Sequence, residues 1–121
     1  MTEHEKLLAG LDYDYRDDEL QTIMKRTVRQ VSDLNNSLDP LVRVNILRTM
    51  LGHMGSNIVI KSPVRFTYGV HTSLGNDVFI NDGCNFLDSN RIMIGNRVLI
   101  GPDTKLYCGE HALDASQRFV T

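Results

Sequence analysis

Four histidines are the side chains of this sequence best suited to acid–base or metal chemistry, and they are widely separated: His4, His53, His71 and His111. A zinc site built from three histidine ligands needs a close pair among them. No two of these histidines form such a pair, so the spacing predicts no metal site. A neutral imidazole can accept a proton near physiological pH, but a lone loop histidine such as His111 has no predicted role by itself. We expect His71 to be a surface turn residue.

The cysteines offer little further chemistry. Cys108 precedes His111 by only three positions, so a Cys–His nucleophile is conceivable, but no neighbouring residue would orient it. Cys84 and Cys108 do not form a CxxC pair, and two cysteines in 121 residues do not indicate a disulfide framework. The expected setting is therefore the reducing cytoplasm.

A six-residue repeat organises the second half of the chain. Apolar residues recur at every sixth position in two runs: Tyr68, Leu74, Ile80 and Phe86, then Ile94, Ile100 and Leu106. Gly, Asn or Asp often follows the apolar residue, as expected at a bend. Three such hexads close one triangular coil, and stacked coils bury the apolar positions. The pattern predicts a mainly β protein, a parallel β-helix with a loop at the two-residue slip between the runs; a β-sandwich with coincidental spacing is the alternative.

The first half of the chain has helical spacing instead. One amphipathic helix is predicted between Asp17 and Asn36, capped by Asp17 or Asp18. A second should be capped by Asp39, with Pro40 at its first helical position. We therefore divide the chain into an N-terminal helical segment, residues 1–54, and an incomplete β-helix of about three coils, residues 55–121.

Composition excludes several functional classes. The net charge of −2 does not suggest a nucleic-acid partner. No apolar run approaches the 18 or so residues of a membrane span, and the charged start lacks the apolar core of a signal peptide.

The order of a helical segment, hexapeptide repeats and a histidine in "GEHALD" resembles the maltose/galactoside/nodulation-factor O-acetyltransferase family of the hexapeptide-repeat superfamily. The opening "EKLLAGLDYDYRDDEL" is similar to that family's first segment, and residues 64–114 match its central block almost without gaps. The resemblance implies a left-handed parallel β-helix, a homotrimer with active sites between subunits, and acetyl transfer from acetyl-CoA to a hydroxyl of a sugar or glycoside. It implies no metal.

The resemblance also assigns roles to individual residues. His111 falls on the family's catalytic histidine, which would accept the proton of the sugar hydroxyl. Asn81 and Asp88 fall on or beside positions that contact the acceptor, although Asn81 also suits a bend. Asp14 and Asp17 lie near an acidic position that contacts sugar, so residues 12–18 would close the acceptor side. Ser89 stands where galactoside-type members have a second aspartate, and the sugar is left unspecified.

Two alternative functions share this fold. The γ-class carbonic anhydrases use a parallel β-helix, but their zinc site needs the close histidine pair that is missing here. A catalytically inactive, truncated β-helix could instead act as an oligomerisation or interaction module. Family members continue beyond the position of Thr121 and place most of their CoA groove there. We therefore expect the 121-residue chain alone to be inactive or nearly so, with its CoA-binding residues unknown.

Overall fold

Three helices form the N-terminal part of the computed structural model, which describes residues 1–108. They are α1 (Glu3–Leu8), α2 (Asp18–Asn35) and α3 (Pro40–Met50). The Asp17 carboxylate caps α2 by accepting from the backbone N–H groups of Glu19 and Leu20, and Asp39 caps α3. Both predicted caps are confirmed, because side-chain oxygens satisfy N–H groups that a helix start leaves unpaired.

Nine short strands follow in chain order: β1 (His53–Met54), β2 (Ile58–Ile60), β3 (Val64–Phe66), β4 (Thr72–Leu74), β5 (Val78–Ile80), β6 (Cys84–Leu87), β7 (Ile92–Ile94), β8 (Leu99–Ile100) and β9 (Lys105–Tyr107). They form three parallel sheets with the orders β1-β4-β7, β2-β5-β8 and β3-β6-β9. Every third strand therefore returns to the same sheet. The predicted parallel β-helix is confirmed, and its first strand lies within residues 1–54.

The repeat of the coil is twenty residues, because each residue pairs with the one twenty positions later in the next coil. The inward apolar residues form three rows: Met54, Leu74 and Ile94; Ile60, Ile80 and Ile100; Phe66, Phe86 and Leu106. Six-residue steps separate the rows within a coil, and eight-residue steps connect successive coils. Two extra residues thus enter at one corner of every coil, after β3 and after β6.

The six-residue spacing indicates the second of these corners but not the first. Tyr68 lies six residues before Leu74, which suggested the start of a hexad run. The residue that stacks beneath Phe86 is Phe66, with ring centroids 4.7 Å apart. Tyr68 lies in the corner instead and packs against Leu7 and Leu20 of the helices. The prediction for Tyr68 is therefore wrong, because a corner insertion happened to preserve the six-residue spacing.

Asparagine side chains reinforce a second corner. Asn76 Oδ1 accepts a hydrogen bond from the Ser56 N–H at 2.8 Å, and Asn96 Oδ1 accepts one from the Asn76 N–H at 2.7 Å. The backbone of Gly75 passes so close to Gly95 and Asn96 of the next coil that a side chain would not fit. Each coil therefore caps the corner of the coil before it.

The helices close the first coil. Leu34, Leu47 and Met50 belong to the same buried cluster as the inward residues of the strands. Arg43 connects these parts through four hydrogen bonds, to the carbonyls of Leu34 (2.6 Å), Ser37 (3.2 Å) and Ile60 (2.6 Å) and to Ser62 Oγ (2.9 Å). Of the helices in residues 1–108, none is long and apolar enough to span a membrane.

Candidate functional site

Asp88 lies in the corner after β6 and is completely buried. Its Oδ1 accepts from the backbone N–H groups of Thr67 (3.0 Å) and Tyr68 (2.7 Å). Its Oδ2 accepts from the Gly69 N–H (2.8 Å) and from the Thr72 hydroxyl (2.9 Å). Four internal donors therefore compensate the burial of this carboxylate, as a buried charge requires. Asp88 holds the preceding coil's corner, residues 67–72, in place.

His71 belongs to that corner and is only 5% exposed. The expectation of a surface turn residue is wrong, because α1 packs over the corner. His71 Nδ1 lies 2.8 Å from the backbone oxygen of Asp88, and its Nε2 lies 2.9 Å from His4 Nε2. Tyr68 stacks on the ring with centroids 4.7 Å apart. Burial lowers the pKa of His71.

Asp14 and Asp17 lie between α1 and α2. The Asp14 carboxylate accepts from the Arg16 side chain at 3.0 and 3.2 Å, and this pairing lowers the pKa of Asp14. The Asp14 N–H donates to Glu3 Oε1 at 2.8 Å. Both aspartates therefore order the segment between the helices, and each side chain remains partly exposed.

Asn81 occupies the bend between β5 and β6 and is half-buried. Its Oδ1 accepts from the Asp82 N–H at 2.9 Å, and its own N–H donates to the Ile100 carbonyl at 2.9 Å. The side-chain amide NH₂ donates to no residue of the range 1–108. The amide group is thus oriented by its own turn while its donor side stays available.

Among the predicted site residues, the Asp17 N–H donates to the Asp14 carbonyl at 3.1 Å, and no hydrogen bond within residues 1–108 joins this pair to Asp88 or Asn81. The corners after β3 and β6 both contact the N-terminal segment, because Thr27 Oγ1 donates to the Tyr68 carbonyl at 2.9 Å and Asn90 Nδ2 donates to the Leu7 carbonyl at 3.0 Å. Asn81 lies at the opposite end of β6. His111 lies outside the described residues.

Two polar side chains were not anticipated from the sequence: Asn85 on the outer face of β6, and Thr67, which directly follows β3. The side-chain oxygens of Thr67 and Asn85 are buried and lack hydrogen-bond partners within residues 1–108, as does that of Gln30 on α2. Such groups are costly unless a ligand or another chain pairs with them. No sequence signal marked them, because threonine and asparagine are ordinary residues on a strand face.

Other features do not coincide with these residues. Among residues 1–108, no group of three or more His, Cys, Asp and Glu side chains could hold a metal ion. A groove of about 510 Å³ runs between α3 and β2 and includes Leu38, Arg43, Val59 and Lys61 in its walls. It contains none of the candidate residues.

The protein therefore belongs to a structural class, the parallel β-helices that an N-terminal helical segment closes at one end. Residues 6–55 match the family model described as the maltose acetyltransferase hexapeptide capping motif. Nodulation protein L of Rhizobium meliloti is 33% identical over 119 residues, which cover 97% of this chain and 65% of that protein. Nodulation protein L of Rhizobium leguminosarum is 34% identical over 119 residues, covering 97% of this chain and 63% of that protein.

Two solved structures are closely similar to this chain. A hexapeptide-repeat acetyltransferase from Vibrio cholerae, in complex with acetyl coenzyme A, superposes with a TM-score of 0.88 at 34% identity, over 98% of this chain and 64% of the other. A maltose O-acetyltransferase from Clostridium difficile gives a TM-score of 0.93 at 33% identity, over 98% and 64%. The chain is thus similar in sequence and fold to hexapeptide-repeat acetyltransferases, and it spans less than two thirds of the length of each of these four proteins.

Proposed function

We propose that this chain provides the helical cap and first three coils of an acetyl-CoA-dependent O-acetyltransferase that acts on a hydroxyl of a sugar or glycoside. The main support is the agreement, over 98% of the chain, with an acetyltransferase structure that contains acetyl coenzyme A. The proposal includes a left-handed winding of the β-helix and a location in the cytoplasm, in keeping with the free thiols of Cys84 and Cys108.

The proposed reaction is a direct transfer. The His111 imidazole accepts the proton of the acceptor hydroxyl as its oxygen attacks the thioester carbonyl. The carbon–sulfur bond then breaks, the thiolate of CoA takes the proton from His111, and the acetyl ester is released. No covalent acyl-enzyme is required, so Cys108 has no role in this scheme.

The remaining candidates would position the acceptor. The Asn81 amide would donate to the acceptor or to the developing negative charge. Asp14 and Asp17 would shape the acceptor side through the segment between α1 and α2. We assign Asp88 an indirect role, because its carboxylate already has four internal donors and fixes the corner that carries Thr67. The buried Thr67 hydroxyl has no hydrogen-bond partner within residues 1–108.

The test is acetyl transfer with and without the imidazole. The assay follows the release of the CoA thiol from acetyl-CoA in the presence of maltose, glucose or a galactoside. It uses the full-length protein as it occurs naturally. His111→Ala should lower kcat/KM by roughly 10²–10⁴-fold. The matched control is His53→Ala, because His53 is exposed on the outer face of β1. Activity within twofold of the unmodified protein would remove His111 from the mechanism.

A second candidate function is an oligomerisation or interaction module, favoured by the apolar side chains on the outer faces of the coils. Leu99 is 81% exposed and Met93 is 78% exposed. CoA binding separates the two functions, since an acetyltransferase must bind CoA and a module need not. Calorimetric titration of CoA without detectable heat, together with absence of transfer to maltose, glucose or a galactoside, would favour the module.

A further inference from the structure

His4 and His71 form a contact between elements that are distant in sequence. His4 lies in α1 and His71 lies in the corner after β3, and their Nε2 atoms are 2.9 Å apart. The His71 side chain is buried, and that of His4 is 21% exposed. The His71 ring is therefore shielded from water, whereas the His4 ring is partly exposed and can exchange protons with solvent.

The partners of the two rings determine where the protons lie. The backbone oxygen of Asp88 can only accept, so His71 Nδ1 must carry the hydrogen that spans the 2.8 Å between them. Neutral His71 then has a lone pair on Nε2, and His4 Nε2 must be the donor in the contact. A proton added to His4 Nδ1 would face Glu19 Oε1, 3.8 Å away. The pair therefore accommodates one extra proton.

A second extra proton has no place in this arrangement. With both rings protonated, the Nε2–H of His71 would face the Nε2–H of His4 across 2.9 Å. We propose that His4 and His71 form a pH-sensitive latch, which holds α1 against the β-helix at neutral pH and releases it when both rings are protonated.

The charged groups around the latch support this direction. The groups facing His71 are His4 from α1, Tyr68 from its own corner, and Asp88 and Arg91 from the next corner; Glu19 of α2 faces His4. Burial lowers the pKa of His71, and the charges of His4 and Arg91 act in the same direction, whereas Asp88 opposes them. The ordinary pKa of a released histidine is about 6.5.

The direction of the pH dependence follows from the lower pKa of His71 in the docked state. With α1 released, His71 binds a proton more readily than with α1 docked. Docking is therefore strongest above about pH 6.5 and weakens as the pH falls through the interval between the released and docked pKa values, by up to about tenfold per pH unit for one proton.

Amide hydrogen exchange on the whole chain tests the latch. The Lys6 and Ala9 amides donate to the carbonyls of Thr2 and Glu5 at the two ends of α1, and their protection factors should fall at least tenfold between pH 7.5 and pH 5. The Phe79 amide, bonded to the Val98 carbonyl inside the β-helix, serves as the internal reference and should change less than twofold.

His4→Gln provides the decisive variant. A glutamine amide can donate to neutral His71 or, after a flip, accept from protonated His71, so α1 should stay protected at both pH values. The matched variant His53→Gln should keep the pH dependence of the unmodified protein. Nitrogen-15 NMR of the rings at pH 8 should also show His71 as the Nδ1–H tautomer. Protection of α1 that is independent of pH, an unchanged pH dependence in His4→Gln, or an Nε2–H tautomer of His71 would each overturn the proposal.

Discussion

At the scale of single residues, Asp88 shows that an acidic side chain assigned by resemblance to the acceptor site can serve the fold. Its two oxygens meet three backbone N–H groups and one hydroxyl, and none of its surface is exposed. The corner it fixes also contains His71 and contacts both α1 and α2. The influence of Asp88 on a neighbouring acceptor would thus pass through the backbone of residues 67–72.

We expect Asp88→Asn to destabilise the protein strongly. The Asp88 carboxylate accepts from N–H and O–H donors on both oxygens, but the asparagine NH₂ group cannot accept. The donors that face this NH₂ would lose their partner, which costs about 2–4 kcal/mol. Urea unfolding monitored by circular dichroism measures the change. Asp82→Asn is the control, because Asp82 is exposed and should change stability by less than about 0.5 kcal/mol. Equal effects of the two substitutions would show that the buried carboxylate contributes nothing.

Elements of the β-helix depend on close backbone contacts between coils. A Cβ atom at Gly75 would lie 2.8 Å from the carbonyl carbon and 2.9 Å from the oxygen of Gly95, and would also overlap the side chain of Asn96. The equivalent Cβ at Gly95 meets no atom of residues 1–108 within 4 Å. These two glycines occupy the same position in consecutive coils, so they form a matched pair.

Gly75→Ala should therefore lower the free energy of unfolding by about 1–3 kcal/mol, because backbone atoms cannot move aside cheaply. Gly95→Ala should change it by less than about 0.5 kcal/mol. Thermal and urea unfolding of both variants provide the comparison. If the two variants are equally stable, the coils are not packed as closely as described at this corner.

The helical cap depends on Arg43 in a comparable way. Its planar guanidinium reaches the carbonyls of Leu34 and Ile60, which belong to different elements. Arg43→Lys keeps the charge but cannot span both acceptors, and should destabilise the protein by about 2–3 kcal/mol. Arg48→Lys, an exposed position on the same helix, is the control in the same unfolding assay. A loss no larger than that of the control would mean that the charge alone suffices.

Features of the helices and strands that depend on nearby residues were predictable from the sequence, whereas those that depend on distant residues were not. The caps Asp17 and Asp39 were predictable because a cap acts on amides two or three residues away. The inward positions of the second and third coils followed from the six-residue spacing. The first corner was missed because Tyr68 preserves that spacing by coincidence, and the burial of His71 was missed because α1 is distant in sequence.

At the scale of the whole molecule, the outer faces carry more apolar surface than a single chain needs. Val59, Phe79 and Leu99 are register neighbours on the outside of the β2-β5-β8 sheet, and Leu99 is the most exposed of the three. Exposed apolar surface of this kind marks an interface. The homotrimer that the sequence resemblance implies would bury this surface, and a neighbouring subunit would then complete a site whose residues lie apart in the single chain.

Leu99→Glu should accordingly shift the assembly toward monomers. Sedimentation equilibrium should give three times the 13.7 kDa of the chain for the unmodified protein and a single chain mass for the variant. Val28→Glu places the same charge at an exposed position of α2 and should leave the assembly intact. An unmodified protein that sediments as a monomer would contradict the proposed trimer.

The site was less predictable than the fold. Asp88 was recognised as important from its position, but its four donors come from a corner twenty residues earlier. The unpartnered oxygens of Thr67 and Asn85 emerge only when the sheet is assembled. The role of His111 rests on resemblance, since it lies outside the described residues.

The uniform twenty-residue register of the coils bears on how such proteins change length over evolution. Duplication of one whole coil would add a layer while leaving every inward residue inward and every corner in its column. Insertion of a single residue within a strand would reverse the alternation of faces from that point onward. Selection should therefore accept gains and losses in whole coils and confine smaller insertions to the corners, where the two extra residues of each coil already lie.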